Sequence, residues 1–264
     1  MLKIYLLSLL LGIFAGSLIN YIIYRIYGNL KGDFKCPNCK HKLKPNEVIP
    51  VISYLTTEGR CNYCNKPIPK KHPIVEILTG LVFIFIAYNL NINFLGSGID
   101  AIEIFKLISY WFITSYLIMV ITFDIKWYII PDKLTSAGLI LTTFLLTIGT
   151  FILNIYTKEE LGLRILTAFI IFLVFFTVYI FSSRKALDFS DVKLATFIAL
   201  LFGWPNIIPT LIFTFLSGTI IGLILIILKK KTLKSKVPFS PFLIIGTIIT
   251  LICGERLIGW YLGL

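Results

Sequence analysis

Asn206 to Leu228 reads NIIPTLIFTFLSGTIIGLILIIL, without one charged side chain, and Lys229, Lys230 and Lys231 follow at once. As a helix rising ~1.5 Å per residue, such a run crosses a hydrocarbon core of ~30 Å, and the lysines mark where it leaves the apolar layer. Outward from it, apolar runs of similar character recur at 4–24, 73–91, 105–123, 132–153, 162–182 and 239–262. One more, 190–202, is short: at ~20 Å of helix it borrows flanking residues or stops within the protein interior. Composition agrees, since 57% of the 264 residues are hydrophobic and 14% charged, far too much apolar surface for water. The pattern predicts an all-α polytopic membrane protein with about eight transmembrane helices.

Charge orients the spans. Eight spans put the connections 25–72, 124–133, 183–190 and 229–236 on one side, and most of the lysines and arginines fall in or beside them. The opposite loops carry Asp100, Glu103, Glu159 and Glu160. By the positive-inside rule both termini face outward and segment 25–72 is cytoplasmic. The net charge of +12 follows from topogenic residues such as Lys234 and Lys236 and calls for no nucleic acid. The first run is too long for a signal-peptide core and lacks a convincing cleavage site, so a retained helix is expected. Within it Gly12 and Gly16, beside Ser17, form a small-residue face suited to close helix packing, with Asn20 and Arg25 continuing toward the cytoplasm.

Segment 25–72 holds two C-x-x-C pairs, Cys36-Pro-Asn-Cys39 and Cys61-Asn-Tyr-Cys64. In a reducing cytoplasm such pairs are zinc ligands more often than disulfides. Four thiolates complete a tetrahedral site and leave no open position, so the metal is structural rather than catalytic. This gives a small zinc-binding cytoplasmic domain between the first and second helices. Cys253, in the last apolar run, reads as a packed side chain.

Chemistry has to be sought among ionisable groups in or beside the membrane. Asp124, in TFDIKWYIIPD, falls at the cytoplasmic end of the third span, and Asp191, in LDFSDVKL, at the cytoplasmic start of the short sixth one. Topology brings both to one membrane face. Two carboxylates at one site share protons: one acts as a base toward water while its protonated partner donates to a carbonyl, as aspartic proteolysis requires. Such a pair titrates as a unit, and neither member is assigned a fixed role. From spacing alone the two read more readily as interfacial caps or partners of the positive loops. Asp132 reads as the N-cap of the fourth span, Lys126 and Lys193 as snorkelling residues, and Asp188 as a solvated loop residue beside Arg184 and Lys185. Glu76 and Arg60 flank the cysteine segment, and no Gly-rich nucleotide loop accompanies them.

The surrounding motifs sharpen this. Gly16-Ser17-Leu18-Ile19-Asn20 with Arg25, the cysteine pairs with Ile49-Pro50 and Ser53-Tyr54 between them, Gly59-Arg60-Cys61 and Pro73-Ile74-Val75-Glu76 come first. Asp124 with Ile130-Pro131-Asp132, Asp191-Val192-Lys193-Leu194 and Pro238-Phe239-Ser240-Pro241-Phe242 follow. Over nearly its whole length the chain resembles the bacterial prepilin peptidase family, membrane aspartic proteases that process type IV prepilins and pseudopilins. The resemblance implies cleavage of a short basic leader on the cytoplasmic side of the inner membrane, with Asp124 and Asp191 as the catalytic pair. It further implies N-methylation of the new terminus with S-adenosylmethionine, at a site no motif locates, and zinc held by Cys36, Cys39, Cys61 and Cys64. The implied organisation is a first transmembrane helix at 1–24, a cytoplasmic zinc-binding domain at 25–72 and a transmembrane peptidase domain at 73–264. Partners are a prepilin or pseudopilin and membrane lipid; oligomeric state is not readable.

The chain departs from the family's Gly-x-Gly-Asp word, with Asp188-Phe189-Ser190-Asp191 in its place, and Ser240 stands where glycine is usual before Pro241. The enzyme's basic loops would repel a basic leader, so acidic groups such as Asp132, Asp188 or Glu58 are expected to receive it. Two other classes fit the bare residues: an ion-coupled transporter using intramembrane aspartates, and an interaction platform built on the zinc knuckle.

Overall fold

The computed structural model of the chain describes residues 2–27, 39, 41, 60–66, 71–90, 101–127, 130–182, 187–229 and 238–262. Among them the fold is all helical: α1 Leu2–Tyr27, α2 Lys71–Asn89, α3 Ala101–Trp127, α4 Asp132–Phe151, α5 Lys158–Phe181, α6 Phe189–Phe202, α7 Ile207–Ile227 and α8 Ser240–Leu262. Each corresponds to one expected span. Five stretches are long and apolar enough to cross a membrane: Ile4–Ile23 of α1 and the whole of α3, α4, α5 and α7. The apolar parts of α2 and α8, Pro73–Asn89 and Ser240–Leu251, are shorter. This is a multi-pass membrane protein.

The chain divides into two compact units, Met1–Met119 and Val120–Leu264. In the first, α1 packs along α2. The small-residue face explains how: a Cβ on Gly12 would lie 2.7 Å from the Gly80 Cα, and one on Gly16 2.6 Å from the Glu76 Cα, so only glycine admits the approach. Asn20 Nδ2 donates to Glu76 Oε1 at 3.3 Å, giving a buried carboxylate a partner beside this contact. Phe83 stacks on Trp111 with ring centroids 4.9 Å apart, and the Trp111 indole N–H donates to the Phe83 carbonyl.

In the second unit α6 is the central element. Val192, Leu194, Ala195, Phe197, Ile198 and Ala199 are all buried, and α4, α5, α7 and α8 each contact it. A helix apolar all round belongs inside a bundle, whereas α5 and α7 turn Leu166, Phe169, Phe215 and Leu223 outward, as lipid-facing helices do. The short run is thus an interior helix. It ends where Gly203 takes φ +67°, a conformation glycine adopts without strain, and Arg164 of α5 donates to the exposed end of its carbonyl ladder at Leu201. At the same end of α5, Thr157 and Glu160 form a reciprocal capping box, so this helix starts ahead of the predicted span and takes Glu159 and Glu160 into its first turn.

α7 and α8 pack most intimately at Gly246, where a Cβ would collide with the Thr210 carbonyl and the Thr214 hydroxyl. The Thr210 hydroxyl reaches Thr250 across the same interface at 2.9 Å. Gly222 on α7, by contrast, faces open space. Gly246→Ala is therefore expected to lower stability by about 1–3 kcal/mol through overpacking, while Gly222→Ala stays within ~0.5 kcal/mol of the parent. Thermal unfolding of both variants in one detergent checks the difference.

Candidate active site

Asp124 lies in the last turn of α3, because that helix continues past the predicted end of its span to Trp127. It is 4% exposed. One of its oxygens, Oδ2, accepts two hydrogen bonds from a single residue, the backbone N–H of Ser240 at 3.2 Å and the Ser240 hydroxyl. Ser240 opens α8, where backbone N–H groups have no intrahelical acceptor. Pro241 follows, in a first-turn position that suits a residue with no N–H to offer. A carboxylate from α3 thus serves the start of α8.

Asp191 sits one turn into α6 and is 8% exposed. Its Oδ2 reaches back to accept from the Asp188 N–H at 3.0 Å, and its own N–H donates to the Asp188 carbonyl at 3.0 Å. Asp188 is exposed, as its reading as a solvated residue expects, and stands just before α6 as its N-cap. Coulombic repulsion from Asp124 and Asp188 reaches Asp191, and that of Asp188 reaches Asp124. Of these three carboxylates two are buried and one is at the surface.

Two further ties fix the start of α6. The Ser190 hydroxyl donates to the Ile130 carbonyl at 2.9 Å, and Lys193 Nζ pairs with Asp132 at 3.0 Å while lying over the Phe189 ring. The sequence reading of Asp132 as an N-cap gives way here. Pro131 holds the cap position of α4 without a side-chain cap bond, and Asp132, one residue inside, pairs with Lys193 instead. Lys193 likewise ends on a carboxylate rather than at lipid headgroups, and Lys126 lies over the Trp127 ring at 4.3 Å. Ser240, which sequence reasoning noted only as a departure from glycine, is the residue that holds Asp124. Its signal was present: a serine opening an apolar run with proline next is a helix-start pattern.

Away from the carboxylates, the sulfur atoms of Cys39, Cys61 and Cys64 all lie within 4.8 Å of one another. Cys39 and Cys61 are 4.0 Å apart. Sulfurs on a tetrahedral zinc with bonds of ~2.3 Å are separated by about 3.8 Å, so the three thiols have the spacing of a zinc site. Cys36, the expected fourth ligand, lies outside the described residues.

Residues 10–90 match the Bacterial Peptidase A24 N-terminal domain, and residues 111–227 match the Type IV leader peptidase family. The chain belongs to the type IV leader peptidase family. The prepilin leader peptidase/N-methyltransferase of Legionella pneumophila is 26% identical over 285 residues, which cover 97% of this chain and 94% of that protein. That of Aeromonas hydrophila is 28% identical over 232 residues, covering 86% and 73%. That of Pseudomonas aeruginosa is 24% identical over 281 residues, covering 97% and 92%. No solved structure matches the chain. Both buried aspartates of this leader peptidase family member fall inside the stretch matched by the second model.

Replacing Cys61, the most enclosed of the three thiols, by serine is expected to reduce zinc from roughly one ion per chain to near zero. Elemental analysis of protein purified without chelator measures it.

Proposed function

We propose that this protein cleaves the leader of type IV prepilins or pseudopilins with Asp124 and Asp191, and methylates the N-terminus that cleavage exposes. The observation that carries the proposal is the pair of buried carboxylates, each anchored by one oxygen to the start of a helix. Family membership and the names of the relatives support the substrate and both activities.

The chemistry follows from the carboxylates. One, as a base, takes a proton from a water molecule placed between them. The resulting oxygen nucleophile attacks the scissile carbonyl carbon. The other, protonated, donates to the carbonyl oxygen as the tetrahedral intermediate forms, and a proton returned to the departing nitrogen releases the leader. No covalent acyl-enzyme is required, and the pair exchanges roles over the cycle. Anchoring matters because a reacting group displaced by ~1 Å loses on the order of a hundredfold in rate.

A prepilin's apolar helix partitions into the bilayer while its basic leader stays at the headgroups, so substrate arrives by lateral diffusion at the depth of the aspartates. Asp188, exposed beside both, is the acid we assign to the leader's positive charge; Asp132 shares this role from its pair with Lys193. Glu58, also expected to contribute, lies outside the described residues. We further propose eight membrane spans with both termini outward, placing the active site on the cytoplasmic side of the bacterial inner membrane. The organisation is a first transmembrane helix at 1–24, a cytoplasmic zinc domain at 25–72 and a peptidase domain at 73–264. Zinc on Cys36, Cys39, Cys61 and Cys64 would supply folding energy rather than reactivity, since four thiolates leave it no site for water. S-adenosylmethionine is the methyl donor in this reading, with no described residue assigned to it.

Asp124→Asn and Asp191→Asn should each lower cleavage of a full-length prepilin by roughly a thousandfold or more. Methyl transfer to a pre-cut substrate should persist in both variants. Mass spectrometry of the product separates loss of the leader from gain of a methyl group. Efficient cleavage by either variant would remove that aspartate from the mechanism, and ion-coupled flux without cleavage would favour a transporter.

A further inference from the structure

We infer that Ser240 is a positioning residue for peptide cleavage: by holding one oxygen of Asp124 it aims the other at the reacting water and carbonyl. The inference rests on the assignment of Asp124 to the catalytic pair and adds a residue that acts through it.

An aspartate carboxylate turns about a soft, roughly two-fold torsion, so burial alone leaves its plane poorly fixed. Fixing it takes donors. Ser240 supplies two, N–H and O–H, both to Oδ2, and among the described residues no further hydrogen bond is made to this carboxylate. The serine is itself fully buried, at 0% exposure, so water does not compete for its hydroxyl proton. Its position is set twice over, by the first turn of α8, where Phe242 and Leu243 N–H groups bond the Phe239 carbonyl, and by the packing of Gly246 against α7.

The backbone N–H alone would leave one donor, at the longer of the two contacts. The hydroxyl makes the grip a fork, and a fork defines the plane of the carboxylate where one bond defines only a direction. Asp191 does not share this device. Its anchor is the Asp188 backbone, with no side-chain donor among the described residues, so removing the Ser240 hydroxyl loosens one carboxylate and leaves the other held. Substrate contacts are untouched by the same change, so the loss should fall on turnover and not on binding.

The test uses the purified full chain in detergent with a prepilin substrate carrying its basic leader. Turnover and KM are measured for the parent, Ser240→Ala, Ser240→Thr and Asp124→Asn. Ser240→Ala should lower kcat on the order of ten- to a hundredfold, the loss of one charge-assisted hydrogen bond, with KM within about twofold. Ser240→Thr, which keeps a hydroxyl at the same atom, should recover kcat to within about fivefold of the parent. Should Ser240→Ala not yield folded protein, Ser240→Gly takes its place under the same criteria, since it keeps the N–H and lacks the hydroxyl.

A kcat for the hydroxyl-free variant within about twofold of the parent, a change confined to KM, or a threonine variant no better than alanine would each overturn the inference. An inactive Asp124→Asn beside a fully active Ser240→Ala would remove Ser240 and keep the dyad. An active Asp124→Asn would remove the dyad assignment itself.

Discussion

A carboxylate carried into apolar surroundings has to be given hydrogen-bond donors by the protein, because water is not there to provide them and the uncompensated cost is several kcal/mol. Here the donors come from helix starts. Asp191 is held by the N–H of Asp188, the N-cap of α6, and Asp124 by the first N–H and side chain of α8. For Asp124 the arrangement answers a second difficulty. It sits in the last turn of α3, where the helix dipole disfavours negative charge. The start of α8, with free N–H groups and a dipole of the opposite sense, offsets that field. α3 must therefore end where α8 begins, and the carboxyl group is the point at which they meet.

That requirement reaches into the packing. α8 delivers Ser240 to a fixed place only if its axis is fixed, and the tightest contact on it is Gly246 against Thr210 and Thr214 of α7. α7 faces lipid over much of its surface, so the hydrophobic effect does little to press it inward; close contact between small residues and the Thr210–Thr250 hydrogen bond do so instead. α6 is positioned differently. It is short and buried on nearly every side, and it is pinned at its start by Ser190 and Lys193 and at its end by Arg164. A short helix enclosed by its neighbours can begin at the depth its aspartate needs without facing lipid along its length.

Much of this was readable from the residues. Every described helix coincides with an apolar run, since lipid imposes length and composition together. Gly12 and Gly16 announced the face on which α1 meets α2, and the cysteine spacing announced the sulfur cluster. Helix ends were less legible: the third span reads as ending at 123 whereas α3 runs on to Trp127, because Ile-Lys-Trp is consistent with either state. Partner choice was least legible. Asp124 and Ser240 are 116 positions apart, and Lys193 and Asp132 are 61 apart. Nothing local in a sequence says that a lysine two residues beyond an aspartate will turn to a carboxylate on another helix rather than to the headgroups.

The missing glycines find a physical account in the backbone. Glycine is irreplaceable where φ is positive or where a Cβ would strike a neighbour. At Asp188 φ is −89°, and neither Phe189, Ser190 nor Ser240 is among the described residues with positive φ. No left-handed turn is needed before Asp191, and L-residues enter α6 without strain. What a side chain adds at these positions is then a donor. Ser190 uses its hydroxyl on the Ile130 carbonyl, tying the start of α6 to the segment that leads into α4, and Ser240 uses its own on Asp124. Each serine replaces conformational freedom with a specific bond, and both bonds lie within a few residues of a buried aspartate. A site with fewer glycines has fewer backbone states to lose on folding. It relies correspondingly more on two hydroxyl groups to keep its carboxylates where the chemistry requires them.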